Sequence, residues 1–149
     1  KGLLPVLLAK RLFPGSAFTV EWFYIAVALA AILGHIFTPY LRFKGGKGVA
    51  TASGAMLALA PIPLSAALLA FVFVFVLTRY VSLGSLTAAL VFPVAVAVER
   101  IILHQNPMVP VLAVGWLLFL LVIVTHKANI VRLVQGTENR ISFKYKSNV

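Results

Sequence analysis

The sequence predicts an all-α polytopic membrane protein with six helices that cross or partly cross the bilayer. Three observations carry that reading. Of the 149 residues, 62% are hydrophobic and 11% are charged, where a soluble domain holds about half and about a quarter; the mean hydropathy is +1.05. Apolar runs near the ~20 residues that a helix needs to span the hydrocarbon core recur along the chain. None of these runs alternates with period two over strand length, which disfavours a β-barrel.

In chain order, residues 3–13 (LLPVLLAKRLF) form a short apolar piece that stops before Pro14-Gly15. Residues 20–41 are long enough to span. The stretch 49–77 is too long for one span, and Pro61 and Pro63 interrupt it. That divides it into a short helix over 49–60 and a fuller one over 62–77, because proline breaks the backbone ladder. Residues 80–98 make the next span, with Pro93 predicted as a kink near its end. Residues 108–125 make the last. Sub-length helices persist at membrane depth only when packed within protein or lining a cavity. All of 1–149 is expected to form one membrane domain. The chain opens at Lys1-Gly2 with no Met and no charged segment ahead of an apolar one. No signal peptide is therefore expected, and an upstream helix is expected to be missing.

Charge adds exclusions. Thirteen Lys and Arg face only Glu21, Glu99 and Glu138, with no Asp and no Cys. Within these residues there is no Asp-dependent chemistry, no disulfide, no thiolate zinc site and no cysteine nucleophile. A carboxylate-rich Mg²⁺ cage is disfavoured too, so neither metal nor cofactor is expected. If the chain changes side at each of the six segments, Lys1, Arg42, Lys44, Lys47, Arg79, Lys127, Arg132, Arg140, Lys144 and Lys146 share one side. Lys10, Arg11 and Arg100 lie on the other. The positive-inside bias makes the first side cytoplasmic, with the C-terminus there. The +10 net charge is thus topological, and no nucleic-acid partner is expected.

The densest chemical signal is Phe43-Lys44-Gly45-Gly46-Lys47-Gly48-Val49-Ala50-Thr51, a loop feeding the short helix. Glycines let main-chain amides approach an anion closely, lysines add charge, and a helix N-terminus favours negative groups. Together they make a phosphate cradle, although the Walker A spacing is absent. The plainer alternative is a tight, flexible, positive-inside connection. A second cluster follows the last span. His126 and Asn129 share a helical face if that helix continues, Arg132 lies near it, and Gly136-Thr137-Glu138 looks like a helix end followed by a turn. The cluster either positions a polar substrate or simply meets anionic lipid. His35, late in its span and near the glycine loop, is a candidate intramembrane site residue. Ser82 and Arg79 flank a span start. Glu138 is read as tying down nearby cations rather than acting as a base. Glu99 and His104 are assigned no chemistry.

LGHIFTPYLRFKGGKGVAT (33–51), TRYVSLGSLTAA (78–89) and HKANIVRLVQGTE (126–138) closely resemble, in order, segments of the PlsY-type glycerol-3-phosphate acyltransferases. Lys1-Gly2 resembles the tail of another family segment. The resemblance implies seven helices in the full protein, an outside N-terminus and signatures gathered on the cytoplasmic side of the bacterial inner membrane. It implies transfer of a fatty acyl group from acyl-phosphate to the 1-hydroxyl of sn-glycerol 3-phosphate, giving lysophosphatidic acid and phosphate. By the same resemblance, Lys44, Gly45, Gly46, Lys47, Gly48 and Thr51 bind substrate phosphate. His126 and Asn129 are catalytic, and His35, Ser82, Arg132 and Glu138 support them. The proton leaves either to His126 or to a phosphate oxygen of the substrate. The expected partners are the two substrates and membrane lipid, with the protein monomeric. The family's first signature, a Ser/Asn/Gly-rich loop with a nearby Arg, is absent from these residues. The family's Pro usually stands three residues after the His; here Thr38 holds that place and Pro39 follows. A local readjustment of Phe43 and Lys44 is expected from that shift. The competing reading is an organic-anion or phosphate transporter or channel, and a third is a lipid-binding structural subunit.

Overall fold

The computed structural model describes residues 1–15, 18–42, 45–103 and 109–141. Phe43, Lys44, His104 and the basic residues Lys144 and Lys146 lie outside them. The described residues form α-helices and one 3-10 turn: α1 (Leu3–Leu12), α2 (Phe18–Ile36), the turn Pro39–Leu41, α3 (Val49–Leu59), α4 (Pro61–Thr78), α5 (Val81–Leu103), α6 (Val109–Thr125) and α7 (Lys127–Val134). Helices α2, α4 and α5 are long and apolar enough to cross a membrane, and α6 joins α7 through a 64° bend. With 11 residues, α3 is a partial span.

Proline and glycine chemistry explains the boundaries. The span expected over 20–41 stops at Ile36, because Pro39 has no N–H to continue the ladder and forces its predecessor extended. Thr38 accordingly sits at φ −64°, ψ 124°, and the chain turns through a single 3-10 turn. Only Ala60 separates α3 from α4, whose first residue is Pro61. Pro93 does not mark an end: it sits inside α5, which runs on to Leu103. Interior prolines are tolerated in membrane helices where neighbours pack around them, and Pro93 is among the most deeply buried residues. The last span does not continue past Thr125. It breaks at His126, and α7 ends in a Schellman motif: Gly136 has φ +70°, its N–H bonds Leu133 O at 3.2 Å, and Thr137 N–H bonds Arg132 O at 2.8 Å.

The core runs between the helices through Val6, Ile25, Ala28, Ile32, Ala55, Met56, Leu64, Ala67, Phe92, Val114 and Leu118. Leu69, Phe73, Leu77 and Ile101 are two-thirds exposed or more, the outward apolar dressing of a bundle solvated by lipid. Small residues let helices meet closely. A Cβ on Gly84 would come within 2.9 Å of the Phe71 ring, which binds α4 and α5 as a tight hairpin. Helices α1 and α3 run side by side in the same direction: Gly2 packs on the Thr51 carbonyl at one end, and Lys10 Nζ donates to Ala58 O at 2.8 Å at the other.

Candidate functional site

The glycine loop, the start of α3, the α4–α5 corner, the α6–α7 break and the segment after α7 converge at one end of the bundle. They enclose a cleft of about 820 Å³ whose polar lining includes His35, Lys47, Ser82, Ser85, His126, Asn129 and Glu138. Gly48 opens α3 with φ +80° and no side-chain cap. A residue with a Cβ would be strained in that conformation, and the Cβ would come within 2.8 Å of Ile36 Cδ1. The uncapped first turn leaves amides without helical partners, and Val49 and Ala50 at that turn line the cleft. This is an anion-favouring helix end beside a lysine.

Lys47 is the hub. Its Nζ donates to Asn129 Oδ1 at 2.7 Å, Asn129 Nδ2 donates to Glu138 Oε1 at 2.6 Å, and Arg132 Nε donates to Glu138 Oε2 at 2.7 Å. Charge alone fixes the Asn129 amide orientation, since its oxygen must face the ammonium and its nitrogen the carboxylate. The chain of bonds neutralises Glu138 with Arg132 and, among the described residues, leaves the Lys47 charge uncompensated toward the cleft. The Asn129 hydrogen bond, with help from Arg132, draws the Glu138 carboxyl down to about 2 against the cost of its burial. Glu138 is therefore ionised throughout the neutral range. The buried Ser82 hydroxyl faces the same carboxylate without a hydrogen bond of good geometry.

His126 is 2% exposed. Its Nδ1 lies 2.9 Å from Val122 O, and a carbonyl only accepts, so the proton sits on Nδ1 and Nε2 carries the lone pair. Burial holds its pKa below the ordinary value, and Lys47 pushes the same way, while the Val122 bond and Glu138 oppose. At neutral pH the ring is uncharged.

The sequence-predicted residues do not all meet. Lys47, Gly48, His126, Asn129, Glu138, Ser82 and His35 line the cleft. His126 and Asn129 arrive there from either side of a helix break, not along one continuous face. Gly45 and Gly46 line a neighbouring hollow with Thr38 and Tyr40, and His35 borders both spaces. The Gly45 amide is already committed to Ile36 O at 2.9 Å, which removes it from any set of free anion donors. Thr51 is not in the cleft's lining; it is buried at 4% exposure, its carbonyl against Gly2. Arg132 stands behind Glu138 instead of lining the space. Lys44 lies outside the described residues.

The sequence reading missed the segment after α7. Ile141 N–H bonds Arg79 O at 3.1 Å, and Arg140 Nε bonds Tyr80 OH at 2.8 Å while its guanidinium lies 5.0 Å from the ring centroid. Glu138, Asn139 and Ile141 thereby form one rim of the cleft. No local motif announces this strap, because its partners are about sixty residues away.

A family model described as glycerol-3-phosphate acyltransferase matches residues 1–136. A glycerol-3-phosphate acyltransferase of Geobacter sulfurreducens is 48% identical over 143 residues, covering 94% of this chain and 66% of that protein. Its counterpart in Myxococcus xanthus is 47% identical over 140 residues, covering 94% and 68%. The crystal structure of PlsY (YgiH), an integral membrane glycerol 3-phosphate acyltransferase, superposes with a TM-score of 0.77 at 33% identity. Its glycerol 3-phosphate form covers 95% of this chain and 66% of that one; its lysophosphatidic acid form covers 95% and 67%. The chain thus spans 66% of the length of the Geobacter relative.

Proposed function

The chain belongs to the glycerol-3-phosphate acyltransferase family, and from that membership we propose that it carries the acyl-transfer site of a membrane enzyme. The enzyme moves a fatty acyl group from acyl-phosphate to the 1-hydroxyl of sn-glycerol 3-phosphate. The cleft faces the cytoplasm of a bacterial inner membrane, as the charge asymmetry of the loops favours. The single observation that supports this most is the uncompensated Lys47 ammonium, held by Asn129 at 2.7 Å beside the uncapped start of α3. An anionic phosphate fits that arrangement in charge and in hydrogen bonding.

Glycerol 3-phosphate sits with its phosphate on Lys47 and the α3 amides, and the acyl-phosphate enters with its head in the same cleft. The 1-hydroxyl oxygen bonds the acyl carbon. The tetrahedral oxyanion is stabilised by the cation and amides already in place. Collapse breaks the bond from that carbon to the phosphate oxygen, giving lysophosphatidic acid and inorganic phosphate. The hydroxyl proton goes to a substrate phosphate oxygen, whose second pKa is about 6, while His126 Nε2 accepts a substrate hydroxyl and orients it. The depressed basicity of His126 favours this division of labour.

The protein purified in detergent, given glycerol 3-phosphate and palmitoyl phosphate, should release lysophosphatidic acid and phosphate in equal amounts. Glycerol 3-phosphate that crosses a proteoliposome membrane chemically unchanged, with no product formed, would establish the transport reading instead. His126→Ala should lower kcat by about tenfold. A loss of a hundredfold or more would make His126 the general base, whose removal typically costs 10²–10⁴-fold.

A further inference from the structure

Glu138 is fastened from both sides. Before it, the Schellman turn at Gly136 ties Thr137 N–H to Arg132 O at 2.8 Å. After it, the chain is pinned to the corner between α4 and α5. There Ile141 N–H reaches Arg79 O at 3.1 Å, and Arg140 grips Tyr80 both by its hydroxyl and by its ring face. The corner is shaped to receive them. Arg79 holds φ +61°, ψ 16°, a left-handed conformation that a residue with a Cβ keeps only where its surroundings hold it. Tyr80 N–H donates to Thr78 Oγ1 at 3.2 Å, and Tyr80 O accepts from Gly84 N–H at 3.2 Å. Both main-chain groups of Tyr80 are thus committed to the corner, and its side chain is left to meet the strap. Between the two fastenings the Glu138 side chain is 6% exposed. It holds Asn129, which in turn holds Lys47.

Neither Tyr80 nor Arg140 lines the cleft, so neither is placed to touch substrate. We propose that they are positioning residues: their clamp sets the place of Glu138 and, through Glu138 and Asn129, the aim of the Lys47 ammonium. The kinetic consequence rests on the acyl-transfer reading. Opening the clamp removes no group from the cleft; it frees the segment by which those groups are aligned.

The test compares Arg140→Ala, Arg140→Lys and Tyr80→Phe with the unaltered protein in detergent, and adds Arg140→Ala to Lys47→Met. Arg140→Ala should lower kcat/KM for glycerol 3-phosphate by about tenfold or more, since a misplacement of about 1 Å at a catalytic group is costly. Arg140→Lys, whose ammonium still suits the ring and the hydroxyl, should recover most of that loss. Tyr80→Phe keeps the ring and lacks the hydroxyl, and should fall between them. In the Lys47→Met background Arg140→Ala should cost less than about twofold, because residues acting through one group are not additive. Equal losses in the two backgrounds, as a merely structural role would give, would overturn the proposal; so would an Arg140→Ala protein as active as the unaltered one. The second readout needs no turnover. Amide hydrogen exchange should quicken in Arg140→Ala over 137–141 and over 45–48, since loosened segments lose protection. Should the unaltered protein form no product, the acyl-transfer reading fails by itself, and exchange then decides the clamp. Quickening in both segments keeps it; quickening in the strap alone, or in neither, removes it.

Discussion

Lys47→Met is expected to lower kcat/KM for glycerol 3-phosphate by at least about a hundredfold, near 2.7 kcal/mol of transition-state stabilisation. Three losses combine. The substrate phosphate loses a charge-assisted hydrogen bond of about 1.5–3 kcal/mol. The oxyanion loses a nearby cation. Asn129 Oδ1, now 2.7 Å from Nζ, loses its donor, and because Asn129 is 7% exposed water replaces that donor poorly. The remaining Arg132–Glu138 pair carries no net charge to substitute for it. Steady-state kinetics over a range of glycerol 3-phosphate concentrations, alongside thermal unfolding to show the variant folded, decide the matter. A loss under about tenfold in a folded variant would remove Lys47 from the phosphate site.

Gly45→Ala is expected to be the most damaging loop substitution for stability, costing at least about 3 kcal/mol. A Cβ at 45 would fall on the carbonyl oxygens of His35 and Ile36. It would push apart the Gly45 N–H bond to Ile36 O at 2.9 Å, so the loop would lose its hold on the end of α2. Gly46→Ala behaves differently. Its Cβ meets the imidazole of His35, a side chain able to turn aside into either neighbouring space. That variant should keep its melting temperature within a few degrees while KM for glycerol 3-phosphate rises more than kcat falls. Paired unfolding curves in detergent separate the two. A Gly45→Ala protein that melts with the unaltered one would contradict the packing described for this loop.

The spans were legible because a membrane helix must carry its own hydrogen bonds and enough apolar length, and both constraints are written locally. The divide between α3 and α4 followed from Pro61 in the same way. Pro39 and Pro93 show where that logic weakens. Both lack an N–H, yet Pro39 stops α2 short at Ile36 while Pro93 is accommodated within α5, buried opposite Gly115. Only the neighbouring helix distinguishes them. At the site, the Lys47 loop could be read because glycine spacing and a helix start are adjacent in sequence. Thr51 lies outside the cleft's lining because successive residues turn about 100° round a helix, and it is Val49 and Ala50 that border the space. The pairing of Asn129 with Glu138 depends on the Schellman turn at Gly136, and the strap onto Tyr80 depends on tertiary geometry that no local pattern encodes.

The short span of α3 has a consequence for its far end. A helix of 11 residues rises only about 17 Å, roughly half the thickness of a hydrocarbon core near 30 Å, so the carbonyls of its last turn stop at a depth where water is scarce. Each one left without a donor there costs several kcal/mol. Ala60 N–H answers Met56 O at 2.7 Å, and Lys10 Nζ answers Ala58 O at 2.8 Å, where an ammonium also meets the negative end of the helix dipole. Lys10 is thus the plug that allows a helix to end inside the bilayer.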